Sequence, residues 1–185
     1  ATAVDTAGSV GHFASIAIGS DGLPVISHYE GTLRNVKVTH CSNVACTAAT
    51  SLTIDAVGDV GAPSSIAIGS DGFPVVAYRD NTAFDLKVTH CTSVTCSTRT
   101  TLTVASAGDV GAYPSLAIGT DGFPVISHLE LSLGDLLVTH CSDVGCVSRI
   151  TTTLDSVGTV GWLSTIAIGS DGLPVIGHFD YYDQS

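Results

Sequence analysis

Methionine is absent from this sequence, tryptophan occurs once, and six basic residues face seventeen acidic ones. Six scattered Lys and Arg cannot build the clustered cationic surface that nucleic acid requires, and the formal charge of −11 works against it. No apolar run approaches the roughly 18 residues of a membrane-crossing helix, so no membrane span is expected. No stretch repeats its apolar residues at a helical period either. An unprocessed translation product begins with Met, whereas this chain begins at Ala1. The expectation is a trimmed chain or a piece of a longer one, and loss of a secretory leader would fit. Charged residues make up only 12% against 44% hydrophobic, so much of the 185-residue chain must be core.

What is abundant is repetition. SIAIGSDGLPVIS at 15–27 returns as SIAIGSDGFPVVA from 65, SLAIGTDGFPVIS from 115 and TIAIGSDGLPVIG from 165, a period of 50 residues. Two apolar, β-branched runs joined by a short Asp-Gly turn read as a β-hairpin, because Asp bonds its own backbone and Gly accepts positive φ. Asp21, Asp71, Asp121 and Asp171 therefore serve turns. One carboxylate per turn falls far short of the oxygens that calcium takes.

A third strand follows at 35–41, 85–91 and 135–141 (NVKVTHC, DLKVTHC, DLLVTHC), then a Thr-rich fourth. Strict alternation would put Val36, Val38 and His40 on one face, with Lys37 and Thr39 on the other. Residues 1–8 match the end of a fourth strand, and glycine-bounded connectors recur at 8–11, 58–61, 108–111 and 158–161.

The Cys fall as Cys41/Cys46, Cys91/Cys96 and Cys141/Cys146, one H-C-x4-C per repeat. Regular pairs in even number predict disulfides and an oxidising, extracellular compartment. Zinc is the rival, since His40, His90 and His140 stand beside the thiols. No fourth ligand recurs at a fixed offset, however, and tetrahedral zinc needs one. No metal and no cofactor are expected.

Four short strands per repeat make an all-β meander, which at this period predicts a β-propeller of about 50-residue, four-stranded blades. The stretch GAYPSLAIGTDGFPVISHLELSLGDLLVTHC at 111–141 resembles the repeat of secreted bacterial β-propellers, Y-P-S-L-A-L-D-S-x-G-x-P-H-I-S-Y-Y-D, followed by G-D-L-K-Y-A. All four copies of the hairpin carry the resemblance. It implies a propeller displayed outside the cell or on its surface and says little of activity. The turns are distantly similar to sialidase-type Asp boxes, but the Trp of that motif is missing from 19–25.

The expected organisation is one domain over 1–185. Its repeats lie near 9–58, 59–108, 109–158 and 159–185, with 1–8 as a leading outer strand. Four blades are expected, three complete and one shared between the termini, with 1–8 closing the last. Two alternatives stay open: the leading strand of one molecule completes the last blade of another, or the chain belongs to a larger propeller.

In this topology the Asp-Gly turns and Cys pairs share one end, and the sequence-variable loops share the other. Variation on a repeated scaffold points to recognition. The acidic residues closing each second strand, Glu30, Asp80, Glu130 and Asp180, join Tyr29, Tyr113, Trp162, Phe179 and Tyr181 as candidate ligand-binding residues. Aromatic faces with acidic neighbours suit glycans, and they equally suit a protein contact. Paired carboxylates could serve glycoside hydrolysis, but four quasi-equivalent ones read as symmetry, and no nucleophile elbow exists. His28, His128 and His178, with Tyr78 at the same position, and His40, His90 and His140 are expected to hydrogen-bond between blades. The functional expectation is a non-catalytic surface interaction or structural module that self-assembles, with a lectin as the alternative. The expected partners are other copies, surface proteins or glycans.

Overall fold

The computed structural model describes residues 2–181 and is all-β. Fourteen strands form four separate antiparallel sheets, and no helix occurs among the described residues. The first sheet runs β1 (His12–Ile18), β2 (Pro24–Glu30), β3 (Asn35–Cys41), β4 (Ala49–Asp55). The second runs β5 (Val60–Ile68), β6 (Pro74–Asp80), β7 (Asp85–Cys91), β8 (Arg99–Ala105). The third runs β9 (Ala112–Ile118), β10 (Pro124–Glu130), β11 (Asp135–Cys141), β12 (Arg149–Asp155). The last holds only β13 (Trp162–Ile168) and β14 (Pro174–Phe179).

Each hairpin turn is built as its sequence requires. The Leu23 N–H donates to Asp21 Oδ1 at 3.1 Å, and Gly22 N–H bonds the Gly19 carbonyl at 2.9 Å. The other oxygen of Asp21 meets His40 Nε2 at 2.8 Å, which ties the turn to β3. His90–Asp71 and His140–Asp121 repeat the contact at 2.7 and 2.8 Å. These histidines thus bond within their own sheet, not between sheets as alternation suggested. The disulfides Cys41–Cys46, Cys91–Cys96 and Cys141–Cys146 close the neighbouring loops, and no cysteine is left free.

Consecutive sheets pack through their first strands, β1 beside β5, β5 beside β9 and β9 beside β13. One set of contacts recurs at each junction. Val60 N–H donates to Arg34 O at 3.0 Å, Val110 N–H to Phe84 O at 3.0 Å and Val160 N–H to Gly134 O at 2.8 Å. Ser15, Ser65 and Ser115 accept the N–H groups of Ile66, Leu116 and Ile166 at 3.3, 3.1 and 3.1 Å. Gly61 sits at φ +98°, and a Cβ there would collide with Val36 of the preceding sheet. Gly111 meets Leu86 in the same way, with its would-be Cβ 2.7 Å from the backbone. Only glycine permits both that φ and that approach.

Sandwiching also overrides the expected two-faced pattern. All seven residues of β3 are buried, because the second sheet meets one face at Val36 and Asp5 of the leading segment reaches the other at Lys37. Thr39 bridges His28 Nε2 at 2.9 Å and Ser51 Oγ at 2.7 Å, a polar ladder across β2, β3 and β4. Tyr78–Thr89–Thr101 and His128–Thr139–Thr151 repeat it. Lys37 reaches back to Asp5, and Lys87 to Asp55 of the preceding sheet.

The shared last sheet does not form. Residues 2–8 make no strand and dock through Asp5 against Lys37 of the first sheet, so β13–β14 stays two-stranded. Nor does β13 pack beside β1 as consecutive first strands do, so the described residues do not form a closed ring.

Candidate functional site

The four acidic residues expected at the variable end have structural partners. Glu30 is buried and accepts the N–H groups of Thr32 and Leu33 at 2.8 and 2.7 Å. Burial pushes its pKa up, but the donors at Leu33 and Thr32 outweigh this and hold the carboxyl below its ordinary value. Asp80 caps Thr82 and Ala83, each at 2.9 Å. Glu130 takes the N–H of Asp109 at 3.1 Å and that of Leu133. Asp180 lies beside Gly158. A carboxylate committed to backbone donors, as Glu30, Asp80 and Glu130 are, is a poor general acid and a poor ligand group.

Tyr29 is likewise engaged, its hydroxyl donating to Asp59 Oδ1 of the next connector at 2.9 Å. Arg79 occupies the same repeat position and pairs with Asp109 of its own next connector. Both residues tie consecutive sheets together.

The aromatic residues behave differently. Tyr113 and Trp162 lie 5.4 Å apart between ring centroids, tilted by 40°. Trp162 and Tyr181 follow at 6.2 Å, and Phe179 meets Tyr181 edge-on at 6.3 Å. The four rings form one continuous run over the third and fourth sheets, and Phe179 and Tyr181 are more than half exposed. The structure thus gathers Tyr113, Trp162, Phe179 and Tyr181, and it leaves Tyr29 and Glu30, Asp80, and Glu130 at the ends of second strands in three separate sheets.

Beside that run is a mouth that motif reading missed. A register irregularity in each first strand carries Phe13, Tyr113 and Leu163 into the left-handed region, at φ +53°, +49° and +51°. Bulky side chains pay about 1–3 kcal/mol for such a conformation, and β-bulges re-aim side chains. Here they converge with Pro63, which holds the equivalent repeat position, and with Pro114 and Ser164, around a cavity of about 230 Å³. All four sheets contribute to it. The signal was in the sequence, because 13, 63, 113 and 163 are apolar and differ from one another inside a strongly repeated unit.

Among the described residues no group of three or more His, Cys, Asp or Glu is placed to hold a metal ion. No helix of the described chain is long and apolar enough to cross a membrane. The three disulfides are compatible with an extracellular setting. No family model matches the chain, and no curated protein matches it.

Proposed function

We propose that this chain is a non-catalytic, extracellular interaction module of the β-propeller type that self-assembles through its incomplete terminal sheet. Each sheet acts as a blade, and the shared mouth lined by Phe13, Pro63, Tyr113 and Leu163 supports an arrangement about a common axis. The observation that carries the reading is the contrast in burial between equivalent positions. Val25, Val75 and Val125 are buried, whereas Val175 is 62% exposed; Ile66 and Ile166 are buried, whereas Ile16 is also 62% exposed. Apolar surface of a kind covered at every internal junction is left open at both ends, and such surface drives association. The carboxylates held by backbone donors support a role without catalysis. Sedimentation velocity over a wide concentration range tests it: species above the monomer grow with concentration, and the pair Ile16→Asp and Val175→Asp weakens them at least about tenfold. A single monomeric species at every concentration overturns the reading.

Carbohydrate binding is the second reading, favoured by the run Tyr113–Trp162–Tyr181–Phe179, because sugar rings stack on aromatic faces. Glycan-array signal lost in Tyr181→Ala would support it, and a blank array would remove it.

A further inference from the structure

Among the described residues, β14 is the only second strand without a third strand beside it. We infer that the free edge of β14 binds an extended peptide segment with the pattern of this protein's own third strands, Asp/Asn–apolar–Lys/Leu–Val–Thr–His. The inference rests on the proposed role of the terminal sheet as the point of assembly, and it names what that sheet recognises.

The pairing is already established three times. Val25 faces His40, Ile26 faces Thr39, His28 faces Lys37 and Tyr29 faces Val36. Val75 and His90, and Val125 and His140, start the same register in the next two sheets. The β14 sequence PVIGHF is a close copy of PVISHY in β2 and PVISHL in β10, and it meets its own first strand in the same register, Ile176 opposite Ile166. An incoming strand therefore has its side-chain sequence prescribed by β14, and β-augmentation is a recurrent mode of peptide capture.

His178 supplies the specific contact. Its Nδ1 accepts the Gly161 N–H at 3.2 Å, just as His128 Nδ1 accepts the Gly111 N–H at 3.3 Å. That bond sets the ring orientation. In His128 the second nitrogen then meets the third-strand hydroxyl of Thr139 at 3.0 Å, and in His28 it meets Thr39 at 2.9 Å. His178 thus presents Nε2 for a threonine on an added strand. The apolar residue of that strand facing Phe179 would cover a ring now half exposed. Residues 2–8 are not the donor, since they form no strand and Asp5 is held by Lys37.

The test is a synthetic peptide copying residues 83–91 with Ser in place of Cys91, titrated into the full chain. Trp162, the only tryptophan, lies directly across from Phe179 and reports by fluorescence. The expected result is saturable binding that a scrambled peptide lacks. Changing the peptide threonine to valine weakens it about fivefold to tenfold, the worth of one hydrogen bond. In a His178→Ala chain the two peptides bind alike, as a double-mutant cycle requires of a coupled pair. Absence of saturable binding, equal binding of the scrambled peptide, or a threonine effect that persists in His178→Ala overturns the inference. Peptide binding by a chain that stays monomeric at every concentration sinks the self-assembly reading alone. Self-association without peptide binding sinks the strand-addition inference alone.

Discussion

The second sheet and the last begin from almost the same sentence of sequence, PVVAYRD in one and PVIGHFD in the other, yet they live in different solvents. In the second sheet Val75, Val76, Ala77 and Tyr78 are fully buried, and Tyr78 donates to Asp55 of the sheet before it at 2.8 Å. In the last sheet the equivalent Val175 lies open, as do Leu173 and Phe179. Local sequence makes the same hairpin in both places. What a hairpin buries is decided by whether a neighbouring sheet stands against each of its faces.

The sharpest way to break this comparison is to put a charge at the two equivalent valines. Val75→Asp should cost roughly 4 kcal/mol or more, since an unpaired carboxylate would enter a closed core. Val175→Asp should stay within about 0.5 kcal/mol at concentrations low enough to keep the chain monomeric. Urea unfolding followed by Trp162 fluorescence measures both, and equal midpoints would mean that the last sheet is covered in solution.

Glycine gives the next largest difference. Gly61→Ala adds a collision with Val36 to the strain of a positive φ, whereas Gly11→Ala adds a methyl group to open space. The first should lose about 3 kcal/mol and the second about 1 kcal/mol. Similar losses at both would show that the backbone conformation, and not the junction, demands glycine.

A smaller effect should appear in the pH dependence. Burial drives the His128 pKa down from 6.5 to about 4. The unfolded chain then binds a proton that the folded chain refuses, so stability falls as pH drops from about 6.5 and levels off below about 4. His128→Tyr, which copies Tyr78, should flatten that part of the profile. Asp55 has the opposite kind of history but loses stability in the same direction. Burial raises its pKa, and Lys87, the Val57 N–H and the Tyr78 hydroxyl together pull it below the ordinary 3.8. Its contribution is present above that value and disappears as the pH falls through the lowered one. Replacing Asp55 and Lys87 with Ala and Leu, as Ala105 and Leu137 already do one unit later, should remove this acid limb and leave the neutral-pH fold intact.

Much of the fold was legible because hairpin signals are local. The turn Gly19-Ser20-Asp21-Gly22 states its own hydrogen bonds, and the spacing of Cys41 and Cys46 closes a loop without help from elsewhere. The role of His40 was read wrongly because its partner, Asp21, is nineteen residues away and becomes a neighbour only through the sheet register. Alternation puts Lys37 and Thr39 on a second, separate face, which hides that both are buried, Lys37 against Asp5 of the leading segment and Thr39 between His28 and Ser51 of its own sheet. Of the candidate site, the aromatic residues at 113, 162, 179 and 181 do come together. The acidic set disperses, because Glu30, Asp80 and Glu130 each satisfy backbone N–H groups of nearby loops that would otherwise stay unpaired.

Strand periodicity, Asp-Gly turns and the fifty-residue repeat by themselves determined four hairpin-based units and three cystine loops, since those depend on backbone chemistry within reach of each residue. Only the tertiary structure decided that the last unit stays two-stranded, that residues 2–8 lie on the first sheet, and that one residue from each unit meets around a common mouth. Those outcomes depend on which surfaces exclude water from one another, and a repeat that is locally identical carries no record of whether a neighbour stands beside it.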